Sequence, residues 1–295
     1  MAIPQSGIFA LGTRSHYYLE LDLEPGVDPS ALVVAVAGLR EPKMTTGGAN
    51  IVTAFNPATW SAAGHQLPPG TRPLEVVEGA DGYSMPATPH DAWIWVSGTG
   101  YDVVFDTARA IAVALDGIAR VATELHGFTY RDSRDLTGFR DGTENPPIDE
   151  AAMSASVPDD APGAGGSVVL VQKWVHDLGA FHALDQPAQE AVIGRTKDTD
   201  EELEDQPAGS HLAHVVLEGP DGEELQVFRR SASFGSLAEH GLLFVAFSAD
   251  QKRLDAMLAH MAGATNGIRD RLTEYSAPVT GAYYFAPSVQ AMRLH

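Results

Sequence analysis

Residues 91–98, DAWIWVSG, run almost directly into residues 101–119, YDVVFDTARAIAVALDGIA. The first stretch is short, apolar and aromatic, and reads as a strand. The second returns its apolar residues at the helical period, with Val104, Ile111, Leu115 and Ile118 on one face. A strand feeding a helix sets the pattern for what surrounds it. Upstream, HYYLELDL (16–23) alternates as a strand does, DPSALVVAVAGL (28–39) opens on Asp-Pro-Ser and continues as a helix, and NIVTAFNPATW (50–60) reads as a strand. Downstream, ELHGFTYRDSR (124–134) reads as the strand that closes the first half.

The second half repeats the order. GSVVLVQKWVHDL (166–178) reads as a strand and QPAQEAVIGRTK (186–197) as a short helix. SHLAHVVLEGPDGEELQVFRRSASFG (210–235) reads as a hairpin about the turn GPDG (219–222). GLLFVAFSAD (241–250) is a buried strand, and DQKRLDAMLAHMAG (250–263) a helix with Leu254, Met257, Leu258 and Met261 in one row. GAYYFAPS (281–288) is a final strand. Two passes through βαββαβ predict an α+β protein of two ferredoxin-like modules with antiparallel sheets, arranged like a dimeric α+β barrel. No close sequence repeat accompanies the repeated order. TENPPIDEAAMSASVPDDAPGAGG (143–166), rich in Pro, Gly, Ala and acid, reads as the linker between a module at 1–142 and one at 167–295.

Composition narrows the function classes. The 19 basic and 39 acidic residues leave a net charge of −20. That argues against nucleic acid and anionic membrane as partners and mildly favours cationic ligands. Six acids lie in KDTDEELEDQ (197–206), which reads as a solvated segment. There is no cysteine, which excludes disulfides, thiolate metal sites, iron–sulfur clusters and a cysteine nucleophile. The first residues lack a basic leader and an apolar run, and no stretch approaches the ~18 apolar residues of a membrane span, so a cytoplasmic location is expected.

GFRDGTENP (138–146) sets Asp141 between Gly138 and Gly142, ahead of a polar turn. Such a segment is expected to bury no apolar face, which leaves chemistry as the reason for fixing one carboxylate. With 11 histidines and no cysteine, histidine is the only soft ligand available. H-E-x-x-H, P-loop, G-x-G-x-x-G and G-x-S-x-G motifs are all absent. His211 opens the expected hairpin in GSHLAH, and the returning strand VFRRSASFG places Arg229 and Ser231 on one face and Arg230 on the other. A lone histidine is most often structural, and His214 and the remaining histidines keep that reading. Trp60, Trp93, Trp95 and Trp174 are candidate electron relays, with core packing the commoner role.

Taken together, GFRDGTENP, SHLAHVVL, FRRSASFG and GIRDRLTEYSAPVTGAYYFAPS resemble the dye-decolorizing peroxidases, in their B-type (P-type) branch, over most of the chain. The resemblance implies one haem b per chain, held in the C-terminal half with His211 as the axial ligand to iron. It implies Asp141 and Arg229 on the peroxide side, joined by Ser231 where many relatives carry Asn. It implies Asp270 as a carboxylate behind the axial histidine, Arg195 near the haem propionates, and Gly142 and Thr143 against the cofactor. The implied activity is reduction of hydrogen peroxide through a ferryl intermediate, with small organic reductants or dyes oxidised one electron at a time. Haem processing (porphyrin oxidation or iron release) and non-catalytic haem carriage are the alternatives; the presence of both Asp141 and Arg229 favours peroxide chemistry. Homo-oligomerisation is possible. Because the chain closes on VQAMRLH, no tail for docking into a nanocompartment is expected.

Overall fold

The computed structural model describes residues 2–42, 47–219, 222 and 224–293. The first half comprises β1 (Ser15–Leu23), α1 (Pro29–Ala37), β2 (Ala49–Phe55), α2 (Pro57–Ala62), β3 (Val77–Glu78), β4 (Ser84–Met85), β5 (Ala92–Gly98), α3 (Tyr101–Ala114) and β6 (Ala119–Phe128). Local chemistry sets the boundaries. Asp28 caps α1 by accepting from the Ser30 N–H at 2.8 Å, with Pro29 supplying a pre-set first turn. The strand expected over 50–60 ends at Phe55 because Asn56 caps α2, accepting from the Ala58 N–H at 2.9 Å, and Pro57 follows. α3 stops at Ala114, short of the expected 119, as the chain turns through Gly117 at φ +76°. That turn lets β6 begin at Ala119, earlier than the expected 124, paired along the length of β1.

The second half comprises α4 (Ala151–Ala155), β7 (Ser167–His176), α5 (Leu178–Ala183), α6 (Gln186–Ile193), α7 (Leu212–Val215), β8 (Phe228–Arg229), β9 (Ala232–Gly235), β10 (His240–Ser248), α8 (Gln251–Met261), β11 (Ser276–Pro278), β12 (Ala282–Ala286) and α9 (Val289–Arg293). The hairpin expected over 210–235 is not formed at its start. His211 has helical angles (φ −55°, ψ −45°) and leads into α7, where the Ser210 hydroxyl accepts from the Ala213 N–H at 3.4 Å. Near the turn, of which Pro220 and Asp221 lie outside the described residues, the described residues pair through the Glu218–Glu224 bridge. The returning strand is itself broken between β8 and β9 at Arg230 and Ser231.

Each half forms a four-stranded antiparallel sheet, in the order β2-β5-β1-β6 and β9-β10-β7-β12. The two sheets meet edge to edge twice. Gly127 and Phe128 of β6 pair with Phe234 and Ser233 of β9, and Phe285 of β12 pairs with Phe55 of β2. The result is a closed ring of eight strands, which removes the exposed edges of both sheets. Its interior holds Tyr18, Trp93 and Trp95 from the first sheet against Val171, Val245, Phe247 and Tyr284 from the second. An indole removes ~150–250 Å² from water, ~4–6 kcal/mol of gross stabilisation before the entropy of ordering it. α1 and α3 cover the outside of the first sheet, and α8 covers part of the second. Within 143–166, α4 places Ala151 and Ala155 in the barrel interior, while Val157 packs with the outer cluster of the first sheet.

Candidate functional site

Gln172, Trp174 and His176 of β7 alternate with the interior residues Val169 and Val171, so they project outward from the second sheet. There, with Leu242 and Phe244 of β10, Met257 and Met261 of α8, Val215 of α7 and the loop 135–144, they line a cavity with about 1050 Å³ of free space, its mouth included. Apolar walls with few convergent polar groups suit a largely apolar ligand.

His211 enters the cavity from the start of α7. Its Nδ1 lies 2.6 Å from Oδ2 of Asp270, which is fully buried. The other oxygen of Asp270 accepts from the Leu272 N–H at 2.8 Å, so the carboxylate is fixed at both ends. The ring therefore donates through Nδ1 and keeps Nε2, which has no hydrogen-bond partner among the described residues, as a lone-pair donor towards the cavity. His214 offers no such atom. Its Nδ1 and Nε2 lie against the carbonyls of Ser210 and Ile268, at 2.8 and 3.0 Å. Among the described residues no group of three or more His, Asp or Glu is arranged to hold a bare ion. One presented imidazole instead suits a metal that brings its own equatorial ligands.

Asp141, Gly142, Thr143, Arg195 and Arg229 line the same cavity. Burial pushes the Asp141 carboxyl up from the usual carboxylate range, against the pull of the Arg229 charge and the Gly142 N–H. The glycines around it serve the loop's own geometry. Gly138 and Gly142 have φ of +94° and +80°, and a Cβ on either would crowd Lys197 or Asn145. The loop also packs, contrary to expectation: Phe139 is buried against Phe181 and Val192. Ser231 is set apart from the main cavity. Its hydroxyl accepts from the Val245 N–H at 3.4 Å, and it lines an adjoining cavity that shares Asp141, Gly142 and Arg229.

Two further sets of contacts border the site, one from a residue inside GFRDGTENP whose partner the sequence does not name and one from residues with no motif. The Asn145 side chain donates to the Arg229 carbonyl at 2.9 Å and accepts from the Arg229 N–H at 2.8 Å, tying the strand of the arginine to the loop of the aspartate. Asp135, His176 and Ser276 form a chain on the cavity wall, with His176 Nε2 3.0 Å from Asp135 and Nδ1 2.8 Å from Ser276. Burial alone would raise Asp135, yet His176 and the two Thr137 donors outweigh it and hold its carboxyl below the usual range.

Among the described residues, two buried donors in the cavity have no partner, Nε of Arg195 and Nε of Arg229. Arg195 is otherwise engaged by Glu144, Glu202 and the Asp200 carbonyl. Orphaned buried N–H groups beside an apolar slot are what an anionic, largely apolar macrocycle would satisfy, so the residues present fit a haem. All four tryptophans are buried, with Trp174 alone on the cavity wall.

Residues 35–129 match the family described as Dyp-type peroxidase, N-terminal, and residues 132–291 the family described as Dyp-type peroxidase, C-terminal. A dye-decolorizing peroxidase of Rhodococcus erythropolis is 35% identical over 97% of this chain and 87% of its own. One from Mycolicibacterium paratuberculosis is 38% identical over 89% of this chain and 75% of its own. Among solved structures, DyPB from Rhodococcus jostii RHA1 is 33% identical and superposes with a TM-score of 0.89 over 99% of this chain and 97% of its own. A variant of that protein, solved in complex with heme, gives the same score and identity over 99% and 98% of the two chains.

Proposed function

Since the chain belongs to the Dyp-type peroxidase family and is a haem-dependent peroxidase, we propose that His211 is the sole protein ligand to its iron and that Asp141 and Arg229 form the peroxide side of the site. Haem bound there supplies two-electron reduction of hydrogen peroxide and returns the oxidising equivalents to reductants one electron at a time. The observation that carries the assignment is the His211–Asp270 contact, with Nε2 left for the cavity that Asp141 and Arg229 also line. Asp270 fixes the ring orientation and, by drawing on the Nδ1 proton, makes Nε2 a stronger donor.

Asp141 takes the proton from one peroxide oxygen and returns a proton to the other, so that water can leave. Its raised pKa makes the carboxylate a stronger base for the first transfer and brings it nearer the working pH, where the same group can hold the proton and return it. Arg229 holds positive charge where the leaving oxygen gathers negative charge, and Asn145 fixes the strand from which it reaches. Gly142 and Thr143 line the same cavity and would border the cofactor, and Arg195, its Nε unpaired among the described residues, would hold a haem carboxylate. Ser231 gives a hydroxyl to the adjoining polar space. The C-terminal half, 167–295, carries the haem ligand, while the module 1–142 contributes Asp141 across the segment 143–166. The B-type branch, small organic reductants, homo-oligomer formation and a cytoplasmic site complete the reading. No helix among the described residues is long and apolar enough to cross a membrane.

The test is haem reconstitution of His211→Ala and His214→Ala beside the wild type, followed by absorption spectra and haem retention on gel filtration. His211→Ala should lose the native spectrum or the haem, and His214→Ala should keep the wild-type ligation band. The reverse pattern overturns the assignment.

A further inference from the structure

The space beside Asp141 and Arg229 that does not contain His211 has a charge pattern unlike the rest of the molecule. About 710 Å³ of free space, open to solvent, is bordered by Thr13, Thr129, Ser133, Ser231 and Ser233, by the three arginines 134, 229 and 230, and by Asp141. None of Arg134, Arg229 and Arg230 forms an ion pair among the described residues, whereas Arg72, Arg120, Arg140 and Arg195 all do. Among the described residues, Arg134 donates to the carbonyls of Gly138 and Lys197 alone. Arg230 donates to the Ile8 and Ala10 carbonyls and the Thr13 hydroxyl, and lies over the Trp95 ring at 5.0 Å. Desolvation draws its pKa down to about 10, the mark of a cation lacking a counter-charge. Arg229 leaves Nε unpaired. His16, also on the wall, is held neutral by burial and by Arg230, its pKa lowered to about 3. The one acid present, Asp141, is itself pushed towards its neutral form. In a chain of net charge −20, three arginines without an ion pair among the described residues border one polar cavity, with Asp141, beside Arg229, the one acid among the described residues that line it.

Partly buried cations without an ion pair favour an anionic partner, and guanidinium is shaped to take a carboxylate through paired hydrogen bonds. We propose that this cavity is a carboxylate-binding annex of the peroxide site. It takes small organic carboxylates and, as substrate, an organic hydroperoxide bearing a carboxylate, docked by its anionic end with the O–O group towards Asp141. The inference about substrate rests on the peroxide-side role given above to Asp141; the binding of the anion does not. The hydroperoxide's O–O bond breaks, and two electrons from the reductant with two protons yield the alcohol and water. Hydroxyls along the wall accommodate a polar ligand, and Arg134, which does not line the haem cavity, is the group that reports on this space alone.

Two measurements on the haem-loaded protein test it. Sodium benzoate titrated calorimetrically should bind saturably at one site. Arg134→Gln should weaken it about tenfold or more, the scale of one lost charge-assisted contact, and Arg134→Lys should restore part of the loss. In turnover, a carboxylate-bearing hydroperoxide should show a kcat/KM about tenfold above that of its methyl ester. Arg134→Gln should abolish that preference through KM, while turnover of hydrogen peroxide stays at the wild-type level. Absent benzoate binding, or equal affinity in wild type and Arg134→Gln, overturns the proposal. So does equal use of acid and ester by an enzyme that turns over hydrogen peroxide normally. Loss of hydrogen peroxide turnover in Asp141→Asn with benzoate binding intact would uphold both readings separately, and wild-type turnover in that variant would remove the peroxide-side role while leaving the anion site standing.

Discussion

Replacing Asp141 with Asn keeps the size of the side chain and its hydrogen-bonding oxygen but removes its ability to accept a proton. Positioned acid–base groups are worth ~10²–10⁴ in rate. The reaction of the haem-loaded protein with peroxide should therefore slow by that factor near neutral pH, equivalent to ~2.7–5.4 kcal/mol at 1.36 kcal/mol per tenfold. The size of the deficit must depend on pH. Burial raises the Asp141 pKa above its ordinary value, and only the ionised form accepts the first proton. The wild-type rate should hold above the raised pKa and fall about tenfold per unit below it, with a midpoint above the ~3.9 of a free aspartate. Asp141→Asn has no such acid limb, so the ratio of wild type to variant should shrink as pH falls. Arg229→Leu should differ in kind, lowering the rate by ~10²–10³ at every pH, because guanidinium does not titrate in this range. Stopped-flow absorbance of the haem band after mixing with peroxide, from acid to neutral pH, reads both. A wild-type-to-Asn ratio that stays constant across pH, or a loss of only a few-fold, would refute the reasoning.

Asp270→Asn should weaken the negative pull on the His211 Nδ1 proton, moving the haem midpoint potential to more positive values in a potentiometric titration without loss of haem. Asn145→Ala removes both bonds to the Arg229 backbone, ~1–3 kcal/mol in all; it should slow the peroxide reaction at every pH, as Arg229→Leu does, while the ligation band in the absorption spectrum is unchanged. Asp141→Asn should raise the thermal stability of the haem-free protein at neutral pH. The sign follows from the raised folded pKa, which favours the folded state below the unfolded value and costs stability once pH passes the folded value; the gain over wild type should vanish in acid when melting is followed by circular dichroism. Trp95→Ala, in the barrel interior, should cost ~3–5 kcal/mol in a urea titration.

Periodicity was enough to find the eight barrel strands and the helices α1, α3 and α8, because each buries one regular face. Short-range capping was misjudged where it competes with pattern. Asn56-Pro57 converts the end of an apparent strand into α2, and Ser210 turns an apparent strand opening into the helix that carries His211. The barrel-like pairing of the two modules follows from the repeated order, but the edge pairs that close it, such as Phe285 with Phe55, 230 positions apart in sequence, are unmarked by motif. The site divides in the same way. Asp141, His211, Arg229 and Asp270 stand in motifs that can be compared as strings. Asn145 stands in GFRDGTENP, but its pairing with the Arg229 backbone does not show in that string, and the Asp135–His176–Ser276 chain joins separate loops and strands with ordinary polar residues that give no local sign of it. The adjoining arginine cavity was hidden for a similar reason: the sequence places Arg229 and Arg230 side by side, but not Arg134, nor the lack of any carboxylate partner.

The central claim is that one imidazole, backed by a buried carboxylate, presents Nε2 to the iron while Asp141 and Arg229 occupy the other side. A crystal structure of the haem-loaded protein tests it most directly. The account expects Nε2 of His211 on the iron, Nδ1 still within hydrogen-bond distance of Asp270, and both Asp141 and Arg229 facing the open axial position. Iron bound by another residue, or an open position faced by neither Asp141 nor Arg229, would contradict it.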